Sequence, residues 1–318
     1  KRKPAKEREI VELIEKIMSI SGFRLVVKEW LFELDKYSAP HTLLLFDGLD
    51  TGFGSTDRER ERRKMALEGL FAFITENSSR LTNFELKILL REDIWKSLKF
   101  ENKSHLFGRS VTLRWSDQIS FSKVIIKQAL RNESFKKILD EKITSRDIEH
   151  WAKEDVDVCW NVLVGERMKG SQTAFTMNWV WNRLADGNSD HSPRYLVQLM
   201  LLAVEWEKKE MKKTPYDRSI IRPRALTKVL PDVSGEALRA LRDEEFPELK
   251  PLMATLSQIG RTPVDAPLLN EKFSADIINL AVEVGLLAVY ESREEEVQRY
   301  MVPDIFRHAL KMKRKGQV

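Results

Sequence analysis

The fold of the first part of the chain is decided by one stretch, His41-Thr-Leu-Leu-Leu-Phe-Asp-Gly-Leu-Asp-Thr-Gly-Phe-Gly54. Thr42 to Phe46 form an unbroken run of apolar or β-compatible residues, and this run ends at an aspartate. Such a run, bounded by Pro40 and by an Asp-Gly pair, predicts a short strand that is buried on both faces. Parallel sheets bind their ligands at the carboxyl ends of the strands. Asp47 is therefore expected where a metal ion or a phosphate group would bind, and Asp50 follows three residues later.

Two interpretations of this acidic stretch remain open. In the first, Asp47 holds Mg²⁺ and Asp50 polarises an attacking water molecule, as in phosphoryl-transfer sites. In the second, the strand ends in an ordinary Asp47-Gly48 turn, because both residues favour turns. A motif this short does not decide between the two.

A second strand is predicted from Phe84 to Leu90, and it also ends in charged residues, Arg91, Glu92 and Asp93. The helix predicted between the two strands makes a βαβ unit, in which a right-handed crossover places both carboxyl ends on one crevice. Arg91 is then a candidate to sense the terminal phosphate beside a metal at Asp47. The alternative is an ion pair of Arg91 with one of its two acidic neighbours.

Helices are predicted on the amino-terminal side of the first strand. Apolar residues at helical spacing indicate an amphipathic helix from Ala5 to Ile20. A second helix, Phe23 to Tyr37, is expected to carry Trp30, Leu31 and Leu34 towards the core. Further along the chain, Ser110 to Trp115 is predicted as a third, shorter strand.

From about Phe135 onward the strand signals stop and helices rich in tryptophan follow, which favours a helical core. Asp186 to Asp190 is predicted as a turn. Ser192-Pro193-Arg194 then opens a long helix, with serine at the cap and proline at the first helical position. Arg194 is thus expected at a helix amino terminus, where an anion would offset its unfavourable position in the helix dipole.

The carboxyl-terminal pattern is a helix from Phe273 to Val284 followed by a hairpin up to Val302. This order is typical of a winged helix. The last segment, Arg307 to Lys315, is basic and is predicted as a helix, which favours nucleic-acid contact. The acidic wing turn Glu294 to Glu296 opposes such contact, because it would repel phosphate groups.

The composition excludes several classes of protein. The 318 residues carry 54 basic and 49 acidic side chains, so the net charge of +5 permits nucleic-acid binding without arguing for it. No run of about 18 apolar residues or signal segment is present, which predicts no membrane partner. The single cysteine, Cys159, excludes an internal disulfide framework and indicates a cytoplasmic location.

With these elements placed, the chain resembles the STAND/NACHT and KAP branch of the AAA+ P-loop ATPases, which act in bacterial signalling and defence. Leu-Leu-Leu-Phe-Asp47-Gly48-Leu-Asp50 is similar to their acidic Walker B box, and the strand ending at Arg91 is similar to their first sensor. Pro193-Arg194 at a helix start looks like their second sensor. The resemblance implies ATP and Mg²⁺ as cofactors and a slowly hydrolysing switch. Asp47 would hold the metal, and Gly48, Arg91 and Arg194 would contact the nucleotide. Asp50, Arg91 and Arg194 would support catalysis.

The expected fold class is α/β followed by all-α, in three domains. Residues 1–133 would be the latter half of a P-loop nucleotide-binding sheet, 134–215 a helical lid, and 216–318 a helical linker with the winged helix. No G-x-x-x-x-G-K-[ST] phosphate loop occurs, so the chain is expected to be a fragment of a longer protein. Thr51, in place of an acidic residue after Asp50, favours slow turnover.

The partners implied by the resemblance are a second copy of the chain or an effector protein, and nucleic acid is not favoured. The rival hypothesis is a non-catalytic helical and winged-helix module that binds DNA or a protein.

Overall fold

A computed structural model describes residues 16, 19, 22–49, 57–140, 147–169, 173–294 and 296–315. The chain divides into two compact units, Lys1–Thr112 and Leu113–Val318, here called unit 1 and unit 2. The architecture is mixed α/β with small sheets. The helix predicted from Ala5 to Ile20 lies almost entirely outside the described residues.

Unit 1 combines helices with one pair of strands. Its elements are α1 (Phe23–Tyr37), β1 (Thr42–Phe46), α2 (Asp57–Asn77), β2 (Phe84–Ile88) and α3 (Glu92–Ser97), with 3-10 turns at Ser78–Arg80 and Lys103–Arg109.

The two predicted strands are confirmed as a parallel pair. β1 runs beside β2 with Thr42 opposite Phe84 and Phe46 opposite Ile88, and α2 lies between them in sequence. This is a βαβ arrangement. Among the described residues, the sheet that contains β1 holds only these two strands.

The prediction that β1 is buried on both faces is wrong. Its side chains alternate between half-buried and exposed, and Leu43 and Leu45 are 52% and 57% exposed. Leu67 and Phe71 of α2 belong to the small core that packs against Ile88 of β2. Helix packing therefore covers one side of the strand pair, and the period of two along the strand leaves the other side open.

The predicted orientation of α1 is also wrong. Trp30 and Leu34 are 70% and 59% exposed, whereas Phe32 and Asp35 are buried. The carboxylate of Asp35 accepts hydrogen bonds from the backbone N–H groups of residues 82, 83 and 84 at 2.8, 3.0 and 2.7 Å, at the start of β2. These bonds fix the rotation of the helix, so Trp30 and Leu34 face outward, and Leu31 is half-buried.

No strand forms from Ser110 to Trp115, where one was predicted. This segment has no regular structure, and Val111 and Leu113 are largely exposed. The division between the two units falls within it. An extended segment forms a strand only when a neighbouring strand makes hydrogen bonds with its backbone N–H and C=O groups. No described strand pairs with this segment.

Unit 2 is mainly helical. Its helices are α4 (Gln118–Ala129), α5 (Glu133–Asp140), α6 (Lys153–Val164), α7 (Thr176–Leu184), α8 (Pro193–Glu210), α9 (Pro223–Arg239), α10 (Lys250–Ile259), α11 (Ala266–Asn270), α12 (Ala275–Glu283) and α13 (Asp304–Arg307). Its strands are β3 (Arg261–Thr262), β4 (Val264–Asp265), β5 (Ala288–Arg293), β6 (Glu296–Met301) and β7 (Lys313–Arg314). A π-helical turn (Ala240–Glu245) and short 3-10 turns (Ile148–His150, Pro247–Leu249) complete it.

One hydrophobic core runs through the whole of unit 2. It includes Phe121 of α4, Trp160 of α6, Leu199 of α8 and Leu310 near the carboxyl end. The segment 113–133, predicted as part of the nucleotide-binding domain, therefore packs with the helical region. The regions predicted as lid and winged helix also share this core.

The carboxyl-terminal hairpin is confirmed. β5 and β6 pair antiparallel, and β4 adds to the free side of β6 to give the order β4-β6-β5. Together with α11 and α12, this sheet has the order of elements that the winged-helix prediction requires.

The basic segment at the carboxyl end differs from its prediction. α13 ends at Arg307 and is followed by turns and the short strand β7, so the segment is not one basic helix. Arg307 is buried, and its guanidinium binds Asp304 with an Nε–Oδ1 distance of 2.5 Å. Arg314 also binds the carboxylate of Asp304.

Asp304 is the centre of a buried ionic cluster. Only 1% of the residue is exposed, and its carboxylate contacts Arg183 of α7 at 2.5 Å as well as Arg307 and Arg314. One carboxylate thus joins three elements of unit 2. Breaking such a cluster by removing its only anion leaves buried cations uncompensated.

No helix among the described residues is long and apolar enough to cross a membrane.

We predict that Asp304→Asn destabilises unit 2 by about 3–5 kcal/mol, because the amide cannot balance three guanidinium charges. Urea unfolding followed by tryptophan fluorescence measures the change. Asp232→Asn, on an exposed position of α9, is the matched control and should change stability by less than about 0.5 kcal/mol. A loss below about 1 kcal/mol in Asp304→Asn would contradict the role given to this carboxylate.

Candidate functional site

Two of the predicted site residues, Asp47 and Arg91, follow the carboxyl ends of the paired strands β1 and β2. Phe46 and Ile88, the last residues of the strands, are register partners, and the Leu89 N–H donates to the Phe46 carbonyl at 2.9 Å. Asp47 directly follows Phe46, and Arg91 lies three residues beyond Ile88. The parallel pairing is confirmed, and the roles of Asp47 and Arg91 at this edge stay predictions.

Asp47 is exposed and begins a tight turn. Its Oδ1 accepts a hydrogen bond from the Gly48 N–H at 2.7 Å, and Gly48 has a left-handed φ of 67°. Glycine adopts this conformation without the steric cost that a side chain adds. The turn projects a carboxylate into solvent at the strand end, and this geometry suits both interpretations of the Asp-Gly pair.

Asp50, the predicted water-orienting residue, lies outside the described residues, as does the glycine-rich segment that follows it. Arg91 is half-buried and precedes the first residue of α3. Its position suits both phosphate sensing and pairing with an acidic neighbour.

Arg194 belongs to unit 2 and is exposed as the second residue of α8. Pro193 begins this helix as predicted, but the side chain of Ser192 makes no capping hydrogen bond. The backbone carbonyl of Ser192 accepts from the Tyr195 N–H instead. Asp47, Gly48 and Arg91 thus belong to unit 1, and Arg194, the second predicted sensor, belongs to unit 2.

No group of three or more potential metal-ligating His, Cys, Asp or Glu side chains occurs in the part of the chain that the structure describes.

Unit 2 contains a cavity of about 200 Å³ that the sequence did not predict. It lies beside the loop between α7 and α8, which was interpreted only as a turn. The sequence pattern that could have indicated this cavity is Asp186-x-x-x-Asp190-His191, which lies directly before a helix start. The cavity is lined by Leu184, Asp186, Asp190, His191, Ser192, Tyr195, Ala237, Leu241, Glu245, Val284, Ile305 and Phe306.

The loop is fixed by contacts with the turn between α12 and β5. The Gly187 N–H donates to the Gly285 carbonyl at 2.7 Å, and the Asn188 side-chain amide donates to the Glu283 carbonyl at 2.8 Å. A Cβ atom on Gly187 would lie 2.4 Å from the Leu287 carbonyl oxygen. Only glycine permits this close approach, which holds Asp186 and its neighbours against the cavity.

Burial controls the protonation of Asp186. Removal from water raises the pKa of its carboxyl group to about 6. The backbone N–H groups of Asp190 and Asn188, which donate to Oδ1 at 2.9 and 2.8 Å, oppose this shift. The negative charge of Asp190 adds to it. Asp186 is thus ionised at neutral pH but protonates in mild acid.

His191 is 7% exposed and stacks on Trp181 with a ring-centroid distance of 3.4 Å. Its Nε2 lies 3.0 Å from the Trp181 carbonyl oxygen. Burial lowers the pKa of His191, although the Trp181 and Ser189 backbones and Asp190 oppose that change. Nδ1 is buried without a hydrogen-bond partner in the described structure.

We predict that Asp186→Asn stabilises unit 2 above neutral pH and removes part of its pH dependence. The folded-state pKa of about 6 exceeds the ordinary value of 3.8, so protonation stabilises the fold. This contribution is complete below about pH 4 and is lost as the pH rises through about 6. The loss amounts to at most about 3 kcal/mol, and an asparagine Oδ1 keeps the two backbone hydrogen bonds.

Urea unfolding of both proteins at pH 4.5 and pH 7.5 tests this prediction. The stability difference between Asp186→Asn and the parent chain should grow with pH. The control is Asp232→Asn, at an exposed position of α9 outside this loop, which should not reproduce this growth of the stability difference. A difference for Asp186→Asn that stays constant with pH would contradict the assignment.

Comparison of the chain with protein-family models, with curated proteins and with solved structures finds no match.

Proposed function

We propose that this chain forms part of an ATP-binding, slowly hydrolysing switch of the STAND or AAA+ type. The observation that carries the proposal is the parallel β1–β2 pair, which presents Asp47 and Arg91 at the same edge. Ligands of α/β sheets bind at this edge. In the switch, the nucleotide state would control oligomerisation or an effector protein.

The donor set at Asp47 fits Mg²⁺ bound together with a nucleotide. Mg²⁺ keeps several waters and is commonly held by one or two carboxylates plus phosphate oxygens. The single exposed carboxylate of Asp47 at the strand end meets this requirement. When bound, Mg²⁺ neutralises charge on the phosphate oxygens.

The arginines supply the complementary charge. Arg91 would face the terminal phosphate from the neighbouring strand, and Arg194 would approach it from the start of α8. Asp50 would orient the attacking water, and Gly48 would allow the close approach of the backbone to the nucleotide. Each of these roles is proposed from the resemblance and from the residue's position.

The open face of β1 also supports the proposal. Leu43 and Leu45 present an apolar surface, whereas parallel sheets are normally covered on both faces. Such a surface is suited to packing against further helices, which cover the faces of parallel sheets.

The first test measures metal-nucleotide binding at the strand edge. The chain has no phosphate loop, so ATP should bind at about millimolar Kd, near −4 kcal/mol. With ATP and Mn²⁺ as a paramagnetic substitute for Mg²⁺, the Gly48 amide resonance should broaden. The broadening should be lost in Asp47→Asn and kept in Asp232→Asn. Equal broadening in Asp47→Asn would contradict the metal role.

In a protein that also carries the phosphate loop, Asp47→Asn should abolish Mg-dependent hydrolysis. Asp50→Asn should slow hydrolysis but leave nucleotide binding intact. Unchanged turnover in both variants would exclude the acidic pair from catalysis.

The second candidate function is a non-catalytic module in which the winged helix binds a protein or DNA. The favouring observation is the three-stranded β4-β6-β5 sheet next to α11 and α12. A protein partner suits this surface better than DNA. The wing carries acidic residues at its turn, and two arginines of the terminal basic segment are bound to Asp304.

We therefore predict no salt-dependent binding of duplex DNA tighter than about 10 μM at physiological ionic strength. Fluorescence anisotropy with a labelled duplex measures it. Lys311 and Lys313 are exposed, so the double variant Lys311→Gln, Lys313→Gln is the informative comparison. Micromolar binding that this variant loses would assign the winged helix to DNA.

A further inference from the structure

The ionic cluster around Asp304 carries an excess of positive charge. Arg183 of α7, Arg307 of α13 and Arg314 of β7 all bind its carboxylate. No other carboxylate among the described residues forms an ion pair with these three arginines. One negative charge balances one guanidinium group, so two positive charges of the cluster remain. Like charges held this close repel each other, and an added anion would relieve the repulsion.

Arg307 has no donor to spare for a ligand. Its Nε binds Asp304, its Nη1 donates to the Met312 carbonyl at 3.1 Å, and its Nη2 lies 3.2 Å from Nε2 of His308. Only 10% of its side chain is exposed. This arginine therefore has a structural role in the cluster.

Arg183 leaves one edge of its guanidinium group unused. It binds Oδ2 of Asp304 at 2.5 Å through Nη1 alone. Its Nε and Nη2 have no partner among the described residues and are not buried, and 20% of the side chain is exposed. The guanidinium carbon lies 5.6 Å from the ring centroid of Trp179, which limits its freedom. The Nε–Nη2 edge is one that can pair with two oxygens of an anion.

Arg314 places a second guanidinium group next to the first. Its Nη2 binds the same Oδ2 of Asp304 at 2.9 Å, so nitrogens of Arg183 and Arg314 meet at one oxygen. Its Nη1 has no partner among the described residues and is not buried, and 33% of the side chain is exposed. Nε of Arg314 is buried and contributes charge but no ligand contact.

The charge of the cluster indicates the class of ligand. A tetrahedral dianion, such as phosphate or sulfate, balances two positive charges and has oxygens for both arginines. A carboxylate or a phosphodiester of nucleic acid carries only one negative charge and balances half of the excess. Arginine pairs with phosphate oxygens through two parallel hydrogen bonds, which are among the stronger hydrogen bonds in proteins.

We propose that the unused donors of Arg183 and Arg314 bind a phosphate-type dianion, either free in solution or as the terminal group of a phosphate monoester. The site goes beyond the nucleotide function proposed for the strand edge, because Arg183 and Arg314 belong to unit 2 and Asp47 belongs to unit 1.

His308 is a natural reporter of the charge in this cluster. A guanidinium group only donates, so the contact with Nη2 of Arg307 makes Nε2 of His308 an acceptor and the ring neutral. Burial lowers the pKa of His308, and the charges of Arg307, Arg183 and Arg314 lower it further, whereas Asp304 acts in the opposite direction. A bound dianion offsets the positive charges and therefore raises this pKa.

The first experiment follows the histidines by NMR while sulfate, a dianion throughout the titration, replaces chloride at constant ionic strength. Millimolar sulfate should raise the pKa of His308 by about 0.5 or more, and the effect should saturate. The exposed His150 is the internal control and should respond much less. Acetate should leave the pKa of His308 nearly unchanged. An unchanged pKa in about 50 mM sulfate, well above the expected Kd, would overturn the proposal.

Variants locate the site when sulfate binding is measured by calorimetry. Arg314→Gln should weaken binding by about tenfold or more, and Arg218→Gln, at an exposed arginine, should leave it unchanged. Arg183→Lys keeps the charge but removes the two-donor edge, so binding should weaken by about fivefold or more. Arg314→Gln leaves two arginines on Asp304 and decides the question if Arg183→Lys does not fold. Unchanged binding in Arg314→Gln would overturn the proposal.

Inorganic phosphate and phenyl phosphate at pH 8, where both are largely dianions, distinguish the two sources of the ligand. Binding of phenyl phosphate that is at least as tight as that of phosphate supports a monoester, and weaker binding supports the free anion. Binding of neither would overturn the proposal. Asp47→Asn should change none of these affinities, so failure of this proposal and failure of the nucleotide proposal can be distinguished.

Discussion

The buried carboxylate of Asp304 is the constraint on which unit 2 depends. It binds guanidinium groups from α7, α13 and β7, so it ties the helical region to the carboxyl end of the chain. The cluster combines three guanidinium cations with one carboxylate anion. Burial lowers the pKa of Arg183, and repulsion from Arg314 and Arg307 lowers it further. The attraction of Asp304 acts in the opposite direction. The ion pairs offset the cost of removing these charges from water only while all partners are in place. The cluster is therefore stable in one particular arrangement of its partners.

A second carboxylate, that of Asp35, organises unit 1 in a different way. Burial would raise its pKa, but hydrogen bonds from the backbone and hydroxyl of Thr82 and from the backbones of Asn83 and Phe84 lower it instead. The charge is stabilised by backbone dipoles, and no ion pair to Asp35 occurs among the described residues. These bonds hold α1 at the amino end of β2, and the apolar side chains of Trp30 and Leu34 consequently remain exposed.

The two candidate sites have opposite chemistry. The strand edge of unit 1 combines one carboxylate with an arginine, which suits a metal ion together with an anionic phosphate ligand. The cavity of unit 2 combines carboxylates with a buried histidine and apolar walls. Val284 and Phe306, which line the cavity, lie near the carboxyl-terminal hairpin, and the hairpin and the helices of unit 2 share one core.

Local features were determined by the sequence alone: the parallel β1–β2 pair, the Asp47-Gly48 turn, the helix start at Pro193 and the carboxyl-terminal hairpin. Each depends on propensities and periodicities of neighbouring residues. Only the tertiary structure decided which faces are buried. The outward stripe of α1, the open face of β1 and the missing strand after Ser110 follow from packing partners far along the chain. The same holds for the cavity at His191, because its walls come from four separate segments whose contact no local pattern encodes.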